Sequence, residues 1–485
     1  MNKKQLKITT FALLLANFMG GLDGTIINTA LSSIVRDLQG IQQIGLLTSI
    51  FLFCLSISTV FWGKLGEMFG DKNMFQIAMS LFIVSALFEG LSPNMTWLII
   101  GRGVMGLATG GMISLPFIIY ARIYTDNSER AKALGWVSAF YAVATICGPI
   151  IGGWIVDVLN WRWIFYINIP IALISIILIQ ISYHEEKIKQ DKISFDFKGA
   201  ILLIAFLSSL LFIIENINKL SYIYIISLSL LTMLLFILLW NIEKRAKNPI
   251  IPNKLLISVP YMSKNMMMFL VYGLVMGYSI YAPMWAQNIL GTSATMAGLT
   301  QILSSIFVII STRCVANLFD KLSFQKIVMI GFISIIISSL ILSSANINSP
   351  YWILIISGGF QGLGMGLVFT PLQVAVQNIV DKRLLGVATT LSLLIRTLGQ
   401  TFIAAIYGAI LSRQLLTGVN KTNGQVTLDM INQLSNSSNM SPSTVQRIPL
   451  MKGILFSGIH LIMIIGLLLV VCGAILNNFG WKHKE

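Results

Sequence analysis

Residues Trp97 to Tyr120 read WLIIGRGVMGLATGGMISLPFIIY. A helix of about 20 such residues crosses a hydrocarbon layer of ~30 Å, and this run is long enough to do so. It carries one charge, Arg102, and a ladder of glycines that lets neighbouring helices approach closely. A water-facing helix would show a polar stripe, and none is present. Working outward, comparable runs precede it at about 8–30, 44–66 and 73–92, and follow it at about 132–156 and 163–182. Two more lie at about 197–217 and 221–242. Six others lie at about 264–288, 295–317, 325–345, 351–377, 385–411 and 453–479. The chain reads as an all-α polytopic membrane protein with about fourteen transmembrane helices, grouped six, two, six. Residues 1–182 form an N-terminal six-helix half, 183–254 two linking helices with flanking cytoplasmic loops, and 255–485 a C-terminal six-helix half. Within the last, residues 412–452 are rich in Ser, Asn and Thr, with Pro442 and Pro449, and read as a long, mobile extracellular loop.

Composition agrees: 56% of the 485 residues are apolar and only 11% charged, which leaves nothing for a soluble catalytic domain. A net charge of +15 would point to nucleic acid in a soluble protein. Here Lys and Arg collect in short connections, so no nucleic-acid partner is expected. Lys64 and Lys72, then Arg122, Arg130 and Lys132, then Lys187, Lys189, Lys192 and Lys198, and then Lys244, Arg245, Lys247 and Lys254 mark alternate connections. The intervening ones are poor in cations, so the positive-inside rule places both termini in the cytoplasm. Lys3, Lys4 and Lys7 ahead of an apolar run resemble a signal peptide, but Asp23 interrupts it, and the run reads as a retained first span. Cys54, Cys147, Cys314 and Cys472 all fall in apolar runs. With 3 His and no HExxH, metal-ligand cluster, nucleophile elbow or Walker loop, an enzyme is the remote reading. No metal or other cofactor is expected, and an ion or solute gradient must supply the energy.

The chain repeats itself faintly. Gly101-Arg102-Gly103, Gly106, Gly110-Gly111 and Pro116 have a counterpart in Gly358-Gly359, Gly362, Gly364, Gly366 and Pro371. Such internal repeats are common in transporter folds.

Four further segments carry a resemblance. Gly63-Lys64-Leu65-Gly66-Glu67-Met68-Phe69-Gly70-Asp71-Lys72 resembles the G-x-L-a-D-R-x-G-R-K loop of the major facilitator superfamily, with Glu67 and Met68 where Asp and Arg are usual. Gly148-Pro149-Ile150-Ile151-Gly152-Gly153 resembles the G-P-x-x-G-G signature of its drug antiporters. Leu22 to Leu31 and Trp161 to Pro170 are similar to signatures of the fourteen-span drug:proton antiporter family. The resemblance implies a monomeric, proton-coupled antiporter that exports small amphiphilic or cationic drugs across the plasma membrane by alternating access. The loop residues Gly63, Glu67, Gly70, Asp71 and Lys72 would then gate conformation, while Gly148, Pro149, Gly152 and Gly153 would form the antiporter motif. An exporter dedicated to one lipid, siderophore or peptide-like solute fits the same scaffold. The many Lys, Ile and Asn residues fit a Gram-positive plasma membrane.

Charges at membrane depth cost several kcal/mol unless they face a partner or a water-filled cavity. Asp23, Arg102 and Arg396 lie deepest. Asp23 reads either as a holder of a proton or cationic ligand, or as a structural acid paired to a neighbour. Arg102, like the arginine of the family's R-x-x-q-G pattern, either tunes a carboxylate or packs helices, and Arg396 is its candidate counterpart in the second half. Glu89 and Glu215 read as span-end acids that water reaches, Glu215 with a potential to attract cations. His460 reads as a satisfied helix histidine. The 22 Met and residues such as Tyr141, Tyr278, Tyr281 and Trp285 either line an adaptable pocket or fill lipid-facing positions.

Overall fold

A computed structural model describes residues 2–124, 127–185, 197–218, 220–245, 253–319, 321–380, 385–434 and 442–479. Among them, numbering only the long helices, the chain forms α1 Lys3–Leu38, α2 Ile44–Phe69, α3 Asp71–Gly90, α4 Met95–Ile123, α5 Asn127–Val158 and α6 Asn168–Ser182. Then follow α7 Phe197–Asn216 and α8 Tyr222–Arg245. The last six are α9 Val259–Asn288, α10 Ala294–Phe319, α11 Phe324–Ser344, α12 Trp352–Ile379, α13 Leu385–Lys421 and α14 Ile448–Phe479. Of the described spans 13 are long and apolar enough to cross a membrane. The span expected at 132–156 falls on α5, whose described apolar part, Val143–Val158, is shorter than a crossing requires, so the count of fourteen is not reached among the described residues.

Local sequence accounts for several boundaries. Asn94 caps α4, its side chain accepting from the Trp97 amide at 3.0 Å. Gly70 separates α2 from α3 with φ +94°, a backbone conformation that costs glycine little. The span expected at 163–182 is broken into a short helix, Trp163–Tyr166, and α6.

The repeat extends to packing. α2 packs on α4 as α10 packs on α12, α3 on α4 as α11 on α12, α1 on α5 as α9 on α13, and α1 on α6 as α9 on α14. Even single atoms correspond: the Ser58 hydroxyl donates to the Gly106 carbonyl at 3.4 Å, and Ser311 donates to Gly362 at 3.4 Å. α7 lies against α2 and α13, and α8 packs mainly on α7.

Helix alternation puts the start of α1 and the end of α14 at one end of the bundle, here the terminal end; the opposite end is the distal end. At the distal end the first six helices meet the last six. Asp157 accepts from the amides of Ala294 (2.9 Å) and Thr295 (2.8 Å), Gln287 donates to the Thr29 carbonyl (2.9 Å), and Asn288 donates to Ser32 (3.2 Å).

The segment expected to be a long loop is more ordered than its composition suggests. α13 continues to Lys421, a short helix Leu428–Asn432 follows, and α14 begins at Ile448. Val426, Ile431 and Leu434 are buried, and the Asn432 side-chain Oδ1 accepts from the Ile41 amide at 3.2 Å. A few apolar side chains anchor a polar stretch that their neighbours in sequence disguise. Residues 435–441, which include part of that expected loop, lie outside the described residues. So do Lys187, Lys189, Lys192 and Lys247, while only the side chains of Lys64, Glu67, Arg130, Lys132 and Pro442 do.

Candidate functional site

α1 and α4 cross where Asp23 and Arg102 face one another. The Arg102 Nη1 donates to both Asp23 oxygens, at 3.1 Å and 3.3 Å, with the two side chains 1% and 0% exposed. A third ionisable group completes the cluster: Glu89 Oε2, at the end of α3, lies 3.9 Å from the same nitrogen and is fully buried. The Phe51 ring of α2 covers the guanidinium at 3.9 Å. Among the described residues, the Glu89 oxygens and the Arg102 Nε have no hydrogen-bond partner. The position of Glu89 near a span end suggests that water reaches it. Instead α4 closes over it, and a Cβ on Gly101 would stand only 2.7 Å from the Glu89 Cγ.

Two carboxylates around one guanidinium leave one negative charge in excess when both are ionised. A single proton on the cluster restores neutrality. In a dry site, where uncompensated charge is costly, that arrangement can take up and release a proton as its access to water changes.

Among the described residues, the second half lacks a counterpart of this cluster. Counting four residues back from Gly106 and from Gly362 brings Arg102 and Gly358 into register. The space above Gly358 is taken by Tyr278, whose hydroxyl donates to the carbonyls of Thr300 (2.8 Å) and Leu354 (2.7 Å). A neutral tyrosine thus occupies the place of the acid and arginine pair.

Arg396 of α13 is held differently. Its guanidinium lies 4.7 Å from the Tyr272 ring centre and 5.1 Å from that of Phe369, and it donates to the Tyr272 hydroxyl at 3.4 Å. Tyr141 of α5 lies against Gly21 of α1, two residues from Asp23. Among the described residues no ion pair joins Arg396.

Glu215, at the distal end of α7, accepts from the Ser49 hydroxyl at 2.8 Å and borders a cavity of about 410 Å³. His460 is satisfied, its Nε2 lying 2.7 Å from the Ser343 carbonyl oxygen.

At the terminal end the gating loop forms a second charged cluster. Arg122 of α4 pairs with Asp71 (2.8 Å) and with Glu185 (3.1 Å), and Glu185 also accepts from the Asp71 amide (2.8 Å) and the Lys72 amide (3.2 Å). A carboxylate thus caps the positive end of α3. Burial, together with the Glu185 and Asp71 charges, pushes the Tyr183 phenol up to about 12, so it remains neutral there. Lys72 donates to the Gln180 carbonyl at 3.1 Å. Among the described residues, a Cβ on Gly63 would meet only Ile118, at an ordinary 3.7 Å, so none of them demands glycine there.

The Gly148, Pro149, Gly152 and Gly153 cluster sits at two crossings. Cβ atoms at Gly148 and Gly152 would collide with Thr25, Ile26 and Thr29 of α1, and one at Gly153 with the backbone of Ala294 and Thr295 on α10. α5 therefore touches both its own group of helices and the other group through side-chain-free surface.

A sequence model described as Major Facilitator Superfamily matches residues 13–404. The chain is 29% identical to the "Multidrug transporter protein MdtP" of Bacillus subtilis, an alignment that covers 99% of this chain and 93% of that one. It is 30% identical to the "Multidrug efflux pump SdrM" of Staphylococcus aureus over 76% of this chain and 82% of that one. Among solved structures, a bacterial homologue of the human lysosomal transporter Spinster in an inward-facing, occupied conformation superposes with a TM-score of 0.70 at 14% identity, covering 100% of this chain and 98% of that one. Fold, repeat, loop motif and sequence agree, and the chain belongs to the Major Facilitator Superfamily.

Proposed function

We propose that this chain exports small amphiphilic molecules across a plasma membrane in exchange for protons, by alternating access between its two six-helix halves. The observation that carries the reading is the buried Asp23, Arg102 and Glu89 cluster, a proton-balancing group at membrane depth in a superfamily whose relatives here are named for multidrug transport. Protonation neutralises the cluster and deprotonation restores one charge, so access of water from one side or the other biases the conformational equilibrium. Tyr141, Tyr272 and Phe369 offer aromatic surface for an apolar cargo beside Arg396. The positive-inside rule makes the terminal end cytoplasmic. Under that orientation, the distal contacts of Asp157, Gln287 and Asn288 seal the outer side. The charged cluster of Asp71, Arg122 and Glu185 then holds the cytoplasmic ends of α3 and α4 together.

Orientation is tested by cysteines introduced at Asn420 and Lys484. A membrane-impermeant thiol reagent is expected to label the first from outside intact cells and the second only in inverted vesicles. Reversed labelling would overturn the assignment of sides.

Export is tested in an efflux-deficient Gram-positive host carrying the gene, challenged with cationic dyes, antiseptics and several antibiotic classes. Growth-inhibitory concentrations are expected to rise about fourfold or more for several compounds, and a protonophore should abolish accumulation differences. No shift for any compound would set aside drug export in favour of one dedicated solute.

A further inference from the structure

We infer that Arg396 is an anion-binding subsite, at which the cargo presents a carboxylate or similar oxyanion while its apolar body lies against Tyr272 and Phe369. The cargo role rests on the export reading above; the anion site itself does not.

The side of α13 on which Arg396 lies is fixed by its neighbours. Leu391, Leu394, Ile395 and Leu398 border an apolar groove shared with Phe206 of α7 and Trp240 of α8. At about 3.6 residues per turn, Arg396 stands about 160° round the helix from Leu394 and Leu398. It therefore points away from the linking helices, toward Tyr272 of α9 and Phe369 of α12. Close crossings hold that geometry. A Cβ on Gly399 would stand 2.8 Å from the Phe269 Cα, and one on Gly273 would stand 2.8 Å from the Gly399 carbonyl oxygen, so α9 and α13 touch beside the site. Arg396, Tyr272 and Phe369 are nonetheless partly exposed, although they sit well inside their helices. Partial exposure on the inner face of the bundle means that the three side chains border an open space between helices.

The bonding of the guanidinium is incomplete. It has five N–H donors. Among the described residues, Nη1 donates to the Tyr272 hydroxyl at a long 3.4 Å, and the buried Nε has no partner. The Tyr272 and Phe369 rings, 5.5 Å apart and edge to face, flank the charge without neutralising it. Every acid whose side chain lies outside the described residues belongs, in the sequence, to a helix end, a connection or the C-terminus. Arg102 differs, because Asp23 and Glu89 give it carboxylates of its own. A cation at membrane depth is costly without a counter-charge or water, and an oxyanion matches the guanidinium fork with two parallel bonds. The same charge repels cationic molecules. A cell interior negative to the outside drives a bound anion outward.

The test is equilibrium dialysis of the purified full-length protein in an uncharged detergent, with micelles in both chambers. The probes share one ring system: naphthoate, neutral naphthamide and cationic naphthylmethylammonium. Wild type is expected to bind naphthoate about tenfold or more tighter than either of the others. Arg396→Gln should bring naphthoate down to the level of naphthamide and leave naphthamide unchanged, and Arg396→Lys should fall between. Naphthoate bound no tighter than naphthamide by wild type would overturn the proposal, and this comparison needs no variant to fold. So would equal loss of both probes in Arg396→Gln, because that pattern marks a structural residue. Displacement of naphthoate by soluble dihexanoyl phosphatidylglycerol, but not by dihexanoyl phosphatidylcholine, would give the site to lipid headgroups and overturn the cargo role. Binding needs no transport, so a failed export screen leaves the anion site standing, and equal affinities for the three probes leave export standing.

Discussion

Asp23→Asn is expected to abolish substrate-induced proton release from the purified protein and to cut proton-driven export at least tenfold, while leaving the fold close to the wild type. The geometry separates these effects. With Asp23 neutral, Arg102 retains Glu89 at 3.9 Å as its counter-charge, so no buried cation is stranded. What disappears is the excess negative charge that a proton would balance. Glu89→Gln should act in the same way, leaving the 3.1 Å pair with Asp23. The double change Asp23→Asn with Glu89→Gln is different, because it leaves Arg102 uncompensated among apolar groups. Stranding one member of a buried ionic cluster costs about 3–5 kcal/mol, so this variant should show a markedly lower thermal midpoint. Proton release measured in detergent and thermal unfolding of the same samples distinguish coupling from stability. Wild-type proton release in both single variants would make the cluster purely structural.

Gly152→Leu is expected to eliminate export while the protein still inserts in the membrane. A Cβ at this position would lie 2.6 Å from the Ile26 Cγ1, 2.7 Å from the Thr29 Oγ1 and 2.8 Å from the Ile26 carbonyl oxygen. The last is backbone, which cannot rotate away, so α5 and α1 must separate, and Asp23 is carried on the helix that moves. Gly153→Ala probes the other side of α5. Its Cβ would stand 2.6 Å from the Thr295 Cα, across the distal seam. It should destabilise the sealed arrangement rather than the fold, which would appear as increased labelling of distal-seam cysteines from outside. Retained export with Leu at 152 would show that the two helices need not touch.

Much of the fold was legible because lipid imposes one rule on every crossing. Each run had to be long and apolar, and the runs read at 44–66 and 97–120 became helices Ile44–Phe69 and Met95–Ile123. The order in residues 412–434 was hidden because its anchors, Val426, Ile431 and Leu434, are isolated among polar neighbours. In the site, Asp23 and Arg102 stood out as charges deep in apolar sequence. Glu89 did not. Sequence gives depth along a helix, whereas burial at a helix end depends on which neighbour lies over it, and here that neighbour is α4. The pairing of Asp71 and Arg122 with Glu185 was hidden for a related reason, since Glu185 belongs to no motif and arrives from the far end of α6.

The contacts of α7 also constrain the order of assembly. It leans on α2, which is already made when it emerges from the ribosome, and on α13, which is synthesised almost two hundred residues later. Until then its inner face, with Leu207 and Leu211, has Phe53 of α2 but not Phe402 and Ala405 of α13 to pack against. A chain stopped before residue 385 would therefore present an open apolar groove to the bilayer, the kind of surface that membrane quality-control proteases can engage. Completion of α13 conceals it.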